Sequence, residues 1–325
     1  MNVGQNKVMD LKEAISTFVK PGCHLSVGGF TINRNPMAAV YEIIRQRIDG
    51  IHLYVHSNGQ ATDELIGAGC ISKLEIAYGG NGKFASTCIR FKKAVQEGTI
   101  QVEDYTNYQM TLRFLAGAMG LPFLPTRSSL GSDIINKWGF SREMRKESPQ
   151  IPDDKLLEMK NPFTGWTDTE KVVLVPAITP DVTILHVQKA DRSGNCRIEG
   201  LTFADAEQAK SARRLVVTCE ELLDNDTLKT DSNQNQIPFI HVDAVVHVPN
   251  GAYPTACYNH YDYDPTYLHM YADHAKDDDK YKEYLNTYIL EPQTHNALLD
   301  LMDAAQLEGI KADPRTGYAV NLDRS

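Results

Sequence analysis

No run of about 18 apolar residues occurs in this chain, and no basic segment at its amino terminus leads into an apolar one. Neither a membrane-spanning helix nor a signal peptide is expected, and the cytoplasm is the default setting. Cysteine pairs are missing as well. The six cysteines (Cys23, Cys70, Cys88, Cys196, Cys219 and Cys257) lie far apart with no Cys-x-x-Cys spacing, which suits buried thiols in a reducing compartment rather than disulfides or zinc. Excess positive charge is absent. With 33 Lys and Arg against 42 Asp and Glu, the formal net charge is −9, and no basic stripe offers the phosphate neutralisation that nucleic-acid binding needs. An acidic substrate would therefore meet a repelling overall field and would need positive charge placed locally. The Gly-x-Gly-x-x-Gly spacing of a dinucleotide site is also lacking, although Gly28 and Gly29 follow an apolar run.

What is present is enough apolar material for one large core or two smaller ones: 325 residues, 42% of them hydrophobic. Helical and apolar extended segments alternate, which predicts an α/β fold with an open, mainly parallel sheet flanked by helices. The pattern predicts helices over Leu11 to Val19, Met37 to Arg47, Asp63 to Ile66, Ala85 to Gln96 and Tyr108 to Met119. Strands are predicted over Leu25 to Val27, Ile51 to Val55, Leu74 to Ala77 and Ile100 to Val102. This first half, about residues 1–125, gives way at about 126–171 to an extended excursion with Pro149, Pro152, Pro162 and many charges. A second α/β part follows over about 172–260, with strands at Val172 to Val175, Val182 to His186, Leu215 to Thr218 and Val242 to Val248, a turn at Asp191 to Gly194 and a helix from Asp205 to Ala212. A helical part over about 261–325 completes a single subunit-sized domain, 1–325.

The stretch Cys23 to Pro36 carries the most information. It reads as a strand, a tight turn through Gly28 and Gly29, and a helix that Pro36 helps to start. Two further polar or glycine-rich loops follow strands: His56-Ser57-Asn58-Gly59 and Gly79-Gly80-Asn81-Gly82. In open α/β sheets ligands bind beyond the carboxyl ends of the strands, so the three loops together read as one wall of one crevice. Each loop alone reads equally well as an ordinary βα turn. Three other features have two readings apiece. Alternation in His241 to His247 places two histidines on one strand face, which without a third ligand falls short of a metal site. Asp277-Asp278-Asp279 reads as a solvated helix terminus, since a calcium loop needs alternating oxygen ligands and a glycine. The tyrosines at 253, 258, 261, 263, 267 and 271 suit a protein interface, or packing onto their own domain, and the interface is favoured.

Gly28-Gly29-Phe30 followed by Pro36 resembles the first-subunit signature of the family I CoA-transferases. Arg34 stands where that signature usually has a third glycine, a change that resembles the glutaconate CoA-transferase branch. The resemblance to A subunits of that branch continues through Leu121 to Pro125, Trp138-Gly139, Pro152 to Lys155, Asn161-Pro162-Phe163, His186 to Asp191 with Gly194-Asn195, Cys219-Glu220-Glu221 and Pro249 to Ala252. It implies a NagB/RpiA/CoA-transferase-like fold and transfer of CoA from an acyl-CoA such as acetyl-CoA to a short dicarboxylate such as glutaconate. It also implies a glutamate nucleophile in a Ser-Glu-Asn-Gly motif on a partner B subunit. No such motif occurs here, and His56-Ser57-Asn58-Gly59 lacks the glutamate. Asp63 and Glu64 read as surface or capping groups of a helix.

The chain is thus expected to form half of a shared site in a hetero-oligomer, with no catalytic residue of its own, no metal, and coenzyme A as substrate rather than cofactor. Its substrate-binding candidates are Gly28, Gly29, Phe30, Thr31, Arg34, Ser57, Asn58, Gly80 and Asn81. The turn would offer backbone N–H groups, and Arg34 would clamp a distal carboxylate, against the plainer reading of a surface arginine paired with Glu42 or solvent. Ser57, Asn58 and Asn81 would donate to the acid or the thioester carbonyl. In ring-cleaving acyl-CoA hydrolases of the same fold a glutamate occupies the position that aligns with Asn107, and an amide cannot serve as that base. A reading from another class is a non-catalytic protein that binds a small acid.

Overall fold

The computed structural model describes residues 6–163 and 170–324. In chain order its strands are β1 (His24–Val27), β2 (Ile51–Asn58), β3 (Ile71–Gly79), β4 (Gln101–Asp104), β5 (Phe123–Thr126), β6 (Leu157–Lys160), β7 (Lys171–Pro176), β8 (Val182–Asp191), β9 (Cys196–Arg197), β10 (Leu215–Leu223) and β11 (Ala244–His247). The helices are α1 (Leu11–Phe18), α2 (Met37–Arg45), α3 (Gln60–Gly67), α4 (Ile89–Glu97), α5 (Asn107–Ala118), α6 (Arg142–Glu147), α7 (Asp205–Ser211), α8 (Asn225–Thr230), α9 (Pro265–Ala275), α10 (Asp278–Tyr284), α11 (His295–Leu299) and α12 (Ala304–Gly309).

Seven strands form one sheet in the order β11-β10-β8-β1-β2-β3-β4, with β9 added antiparallel to β8. Every neighbouring pair along that order is parallel. The central strands are nearly continuous buried runs, as a sheet covered by helices on both faces requires. From β1 the chain walks outward through β2, β3 and β4, then returns to the other side of β1 as β8 and walks the opposite way. The β1/β8 boundary is thus a topological switch point, and the loop after β1 lies at the position where such sheets bind ligands.

The predicted strands of the first half are all present, but β2 and β3 run on through Asn58 and Gly79. Their extra residues pair in register, Ser57 with Tyr78 and Asn58 with Gly79, so most of the second predicted loop and the first residue of the third are strand end. Helix α4 starts later than predicted because the Asp63 carboxylate accepts the N–H groups of Ile89 (3.1 Å) and Phe91 (2.8 Å) and fixes its first turn. Strand β8 runs five residues beyond His186 to a hairpin that Asp191 builds by accepting the N–H groups of Ser193, Gly194 and Asn195.

Three expectations are corrected. The strand predicted over Val172 to Val175 does not join the main sheet; β7 is the middle of a separate antiparallel sheet, β5-β7-β6, built by the excursion. His241 lies in a 3₁₀ turn, Phe239–His241, ahead of β11, so it shares no strand face with His247. The tyrosines do not form an outer face. Tyr253, Tyr261, Tyr267 and Tyr271 are at most 4% exposed, and they join Tyr281 and Tyr284 in the core cluster that runs from Ala14 to Ile310. Asp277 caps α10 by accepting from Asp279 and Lys280, as a helix terminus should. All six cysteines are buried and free, and among the described residues no helix is long and apolar enough to cross a membrane.

Candidate functional site

The three loop segments meet at one point. Thr31 N–H donates to Ser57 O (3.0 Å) and Thr31 bridges Asn58. The Asn58 side chain donates to Gly28 O (3.1 Å) and accepts from Thr62 N (3.0 Å). Gly80 N–H reaches Asn58 O at 3.3 Å, and Asn81 Nδ2 donates to Gln60 Oε1 at 2.8 Å. Gly59 sits in the middle, where a Cβ would lie 2.5 Å from Gly80 O and 2.9 Å from Thr31 O. The turn after β1 needs both of its glycines for similar reasons. Gly29 has φ +84°, and a Cβ there would stand 2.6 Å from the carbonyl oxygens of Asn33 and Arg34.

All nine predicted residues therefore belong to one junction, but only Phe30 and Thr31 among them keep part of their surface open. The N–H groups of the turn are committed within the protein: Gly28 to Ile184 O, Gly29 to Asp205 Oδ1, Phe30 to Asn33 O and Thr31 to Ser57 O. They cannot greet a ligand in this arrangement. Nor is Arg34 a surface residue paired with Glu42. It is 3% exposed, its Nη1 lies 2.7 Å from Asp205 Oδ2, and the guanidinium donates to His186 O and Leu201 O, both at 3.0 Å. It borders a cavity of about 330 Å³ shared with Phe203, Tyr258 and Tyr318 while making these bonds. Glu42 is taken by Arg45 and Gln46.

The residues 28–34, 56–60 and 79–83 include no carboxylate. Asp63 and Glu64 are fully buried rather than on the surface. Asp63 also accepts from Tyr271, while Glu64 accepts from Gln60, Tyr41 and Tyr284. Burial raises their pKa values to about 6 and about 8, with those hydrogen bonds pulling only part of the way back.

Phe30, Thr31, His56, Asn107 and Phe203 are the side chains around this junction that keep surface open to solvent. Phe30 stacks on Phe203 at 4.7 Å and stands 5.8 Å from His56. Burial lowers the pKa of His56, whose ring lies against the Asn107 backbone. Asn107, the first residue of α5, is exposed, and its Oδ1 accepts from the buried Ser57 hydroxyl at 2.5 Å. His56 and Phe203 were not singled out by the sequence reading; the position of His56 one residue ahead of Ser57, at the end of a strand, was the available signal, whereas nothing local marks Phe203. His186, Glu220 and Cys257 form the one cluster of metal-ligand spacing among the described residues. Its donors are already engaged, His186 by Thr218 and Glu220, and Glu220 by Tyr261 and the N–H of Asn250.

A parallel sheet with a glycine junction at its switch point, and with no carboxylate in the three loop segments that meet there, defines an open α/β protein. The chain belongs to the coenzyme A transferase family, which matches residues 8–248. Over 319 residues it is 37% identical to the A subunit of glutaconate CoA-transferase from Acidaminococcus fermentans, covering 98% of this chain and 99% of that one. It is 33% identical over 287 residues to the A subunit of 3-oxoadipate CoA-transferase from Pseudomonas knackmussii, covering 87% and 93%. The crystal structure of the Acidaminococcus fermentans glutaconate coenzyme A-transferase superposes with a TM-score of 0.93, covering 97% of this chain and 98% of that chain. The fold class and the CoA-transferase reading of the sequence are thereby borne out.

Proposed function

We propose that this chain is the A half of a heteromeric CoA-transferase that moves CoA from an acyl-CoA such as acetyl-CoA to a short dicarboxylate such as glutaconate. The observation that carries the reading is the carboxylate-free wall at the switch point: a ligand can be held there, but the nucleophile must come from a second chain. In this reading a glutamate of the partner B chain attacks the acyl thioester and expels CoA thiolate, the thiolate attacks the glutamyl carbonyl of the resulting anhydride to give a glutamyl-CoA thioester and release the donor acid, and the acceptor acid then reverses the sequence. Coenzyme A enters as a substrate, and no further cofactor or metal takes part. Phe30 and Thr31 face the ligand, while Gly28, Gly29, Arg34, Ser57, Asn58, Gly80 and Asn81 hold the wall in shape. Tyr108, Phe123, Met159 and Phe163 are all more than 40% exposed and border a cleft of about 870 Å³ beside Asn107, apolar surface of the kind that assembly covers. Six free buried thiols suit a cytoplasmic setting.

The test is CoA transfer from acetyl-CoA to glutaconate, followed by mass spectrometry of glutaconyl-CoA, with this chain alone and co-expressed with its partner. Activity in the pair alone is expected. Activity from this chain alone would overturn the divided site, and release of free CoA without acyl transfer would favour a hydrolase instead.

A further inference from the structure

We propose that Asn107 donates a hydrogen bond to the thioester oxygen that becomes negative during acyl transfer, and that Ser57 is a positioning residue that sets the direction of the Asn107 amide. The proposal rests on the CoA-transferase reading above.

The argument begins with what Ser57 can and cannot do. Its side chain is completely buried, so its hydroxyl does not reach a ligand. That hydroxyl donates to Asn107 Oδ1 at 2.5 Å, which turns the amide oxygen inward and leaves Nδ2 on the open side. Asn107 is exposed on the rim of the crevice, and among the described residues its Nδ2 has no partner. The backbone beneath it is fixed. Thr106 and Gln109 form a reciprocal capping box at the start of α5, and the Thr111 hydroxyl holds Asn107 O at 3.1 Å. A long flexible side chain would have to be ordered on binding; this one is already aimed.

Most of the other groups on the wall are apolar or committed within the protein, the Thr31 hydroxyl and the His56 ring being the other polar side-chain groups there. The turn N–H groups and the Arg34 guanidinium are engaged with the protein itself. Phe30 and Phe203 have no polar atoms beyond the backbone. Among the side chains on the wall, the Asn107 amide is a donor in a fixed direction, beside His56, whose ring stands 5.8 Å from that of Phe30.

The chemistry asks for such a donor. When a carboxylate oxygen of the partner attacks the acyl carbon, a C–O bond forms and the carbonyl π pair moves onto oxygen. Collapse of that oxyanion breaks the C–S bond, and CoA leaves as thiolate with the electron pair, leaving a mixed anhydride. No proton is gained or lost by the enzyme, so a neutral amide that strengthens its hydrogen bond as charge develops is sufficient, and removing such a donor costs about 10²–10³ in rate.

The experiment uses the assembled pair of chains, with assembly checked by native mass spectrometry. Asn107→Ala is expected to lower kcat about 10²–10³-fold with KM for the acyl-CoA little changed, and to slow single-turnover formation of the covalent CoA adduct on the partner by the same factor. Asn107→Ser, which keeps a shorter donor, should recover part of the rate, and Ser57→Ala should lower kcat about tenfold with KM unchanged. A rise in KM at unchanged kcat, or full-rate adduct formation in assembled Asn107→Ala, would overturn the proposal while leaving the CoA-transferase reading in place. A wild-type pair that forms no CoA adduct and transfers no CoA would remove that reading, and the proposal with it.

Discussion

At Gly59 the main chain threads between Thr31, Gly80 and Asn81 with no room for a side chain. Gly59→Ala should therefore spread the junction apart, costing about 1–3 kcal/mol in stability. A thermal melt would read that loss, and transfer by the assembled enzyme should fall at least tenfold. Arg34 makes a different kind of prediction. Because it neutralises Asp205 in a site from which both are shut off from water, Arg34→Met leaves a buried charge alone and should cost about 3–5 kcal/mol. A variant with unchanged stability that had lost only dicarboxylate acceptors would show the arginine to be a clamp after all. The sequence marks Arg34 as unusual through its place after Gly28-Gly29-Phe30. It cannot show that Asp205, from the far half of the chain, is its partner, and that partner decides whether the charge is available to a ligand.

The elements show the same division between local pattern and distant partner. Strands β1 to β4 were legible because each is an apolar run between helix and loop. The run at β7 was equally legible as a strand, yet apolar content does not say which sheet will receive it. The tyrosines of α9 fall at four-residue spacing, Tyr267 and Tyr271, which marks one helix face without naming what lies against it. The structure places α3 and α10 there: Tyr271 donates to Asp63 of α3, and Tyr267 meets Tyr284 of α10, which donates to Glu64. The excursion is held in a comparable way. Arg145 of α6 pairs with Glu103 of β4, and the fully buried Lys155 reaches Asp104 Oδ1 at 3.0 Å and Lys137 O at 2.7 Å. Glu103→Gln should leave the main sheet intact and loosen the excursion. Amide hydrogen exchange would then quicken over residues 133–160 while β1, β2 and β8 stay protected.

For the molecule as a whole, the buried acids of α3 set a dependence on pH. Asp63 and Glu64 have folded pKa values near 6 and 8, above their unfolded values. Across that range the folded chain holds more protons than the unfolded one. Their contribution to stability is therefore complete below about pH 4 and is lost as pH rises through about 6 and then about 8. Melting temperature should fall between about pH 4 and 8, and Glu64→Gln, which keeps the shape without the charge, should flatten the part of that fall above pH 6. At pH 9 the variant should exceed the wild type by on the order of a few kcal/mol. A variant with the same slope as wild type would place the titration elsewhere.

Apart from Tyr41, the tyrosines that enclose these acids lie beyond residue 248, where the family match ends. Helix α3 starts directly after Gly59, with Asp63 N–H bonded to Gly59 O at 2.9 Å, so the bracket that grips α3 also grips the loop junction. A chain trimmed to the matched region would retain every loop of the site and lose the clamp that keeps them registered. The smallest transplantable piece of this protein is consequently larger than the region by which its kinship is recognised, and any chimera or minimal version would have to carry the last quarter of the chain along with the glycine loops.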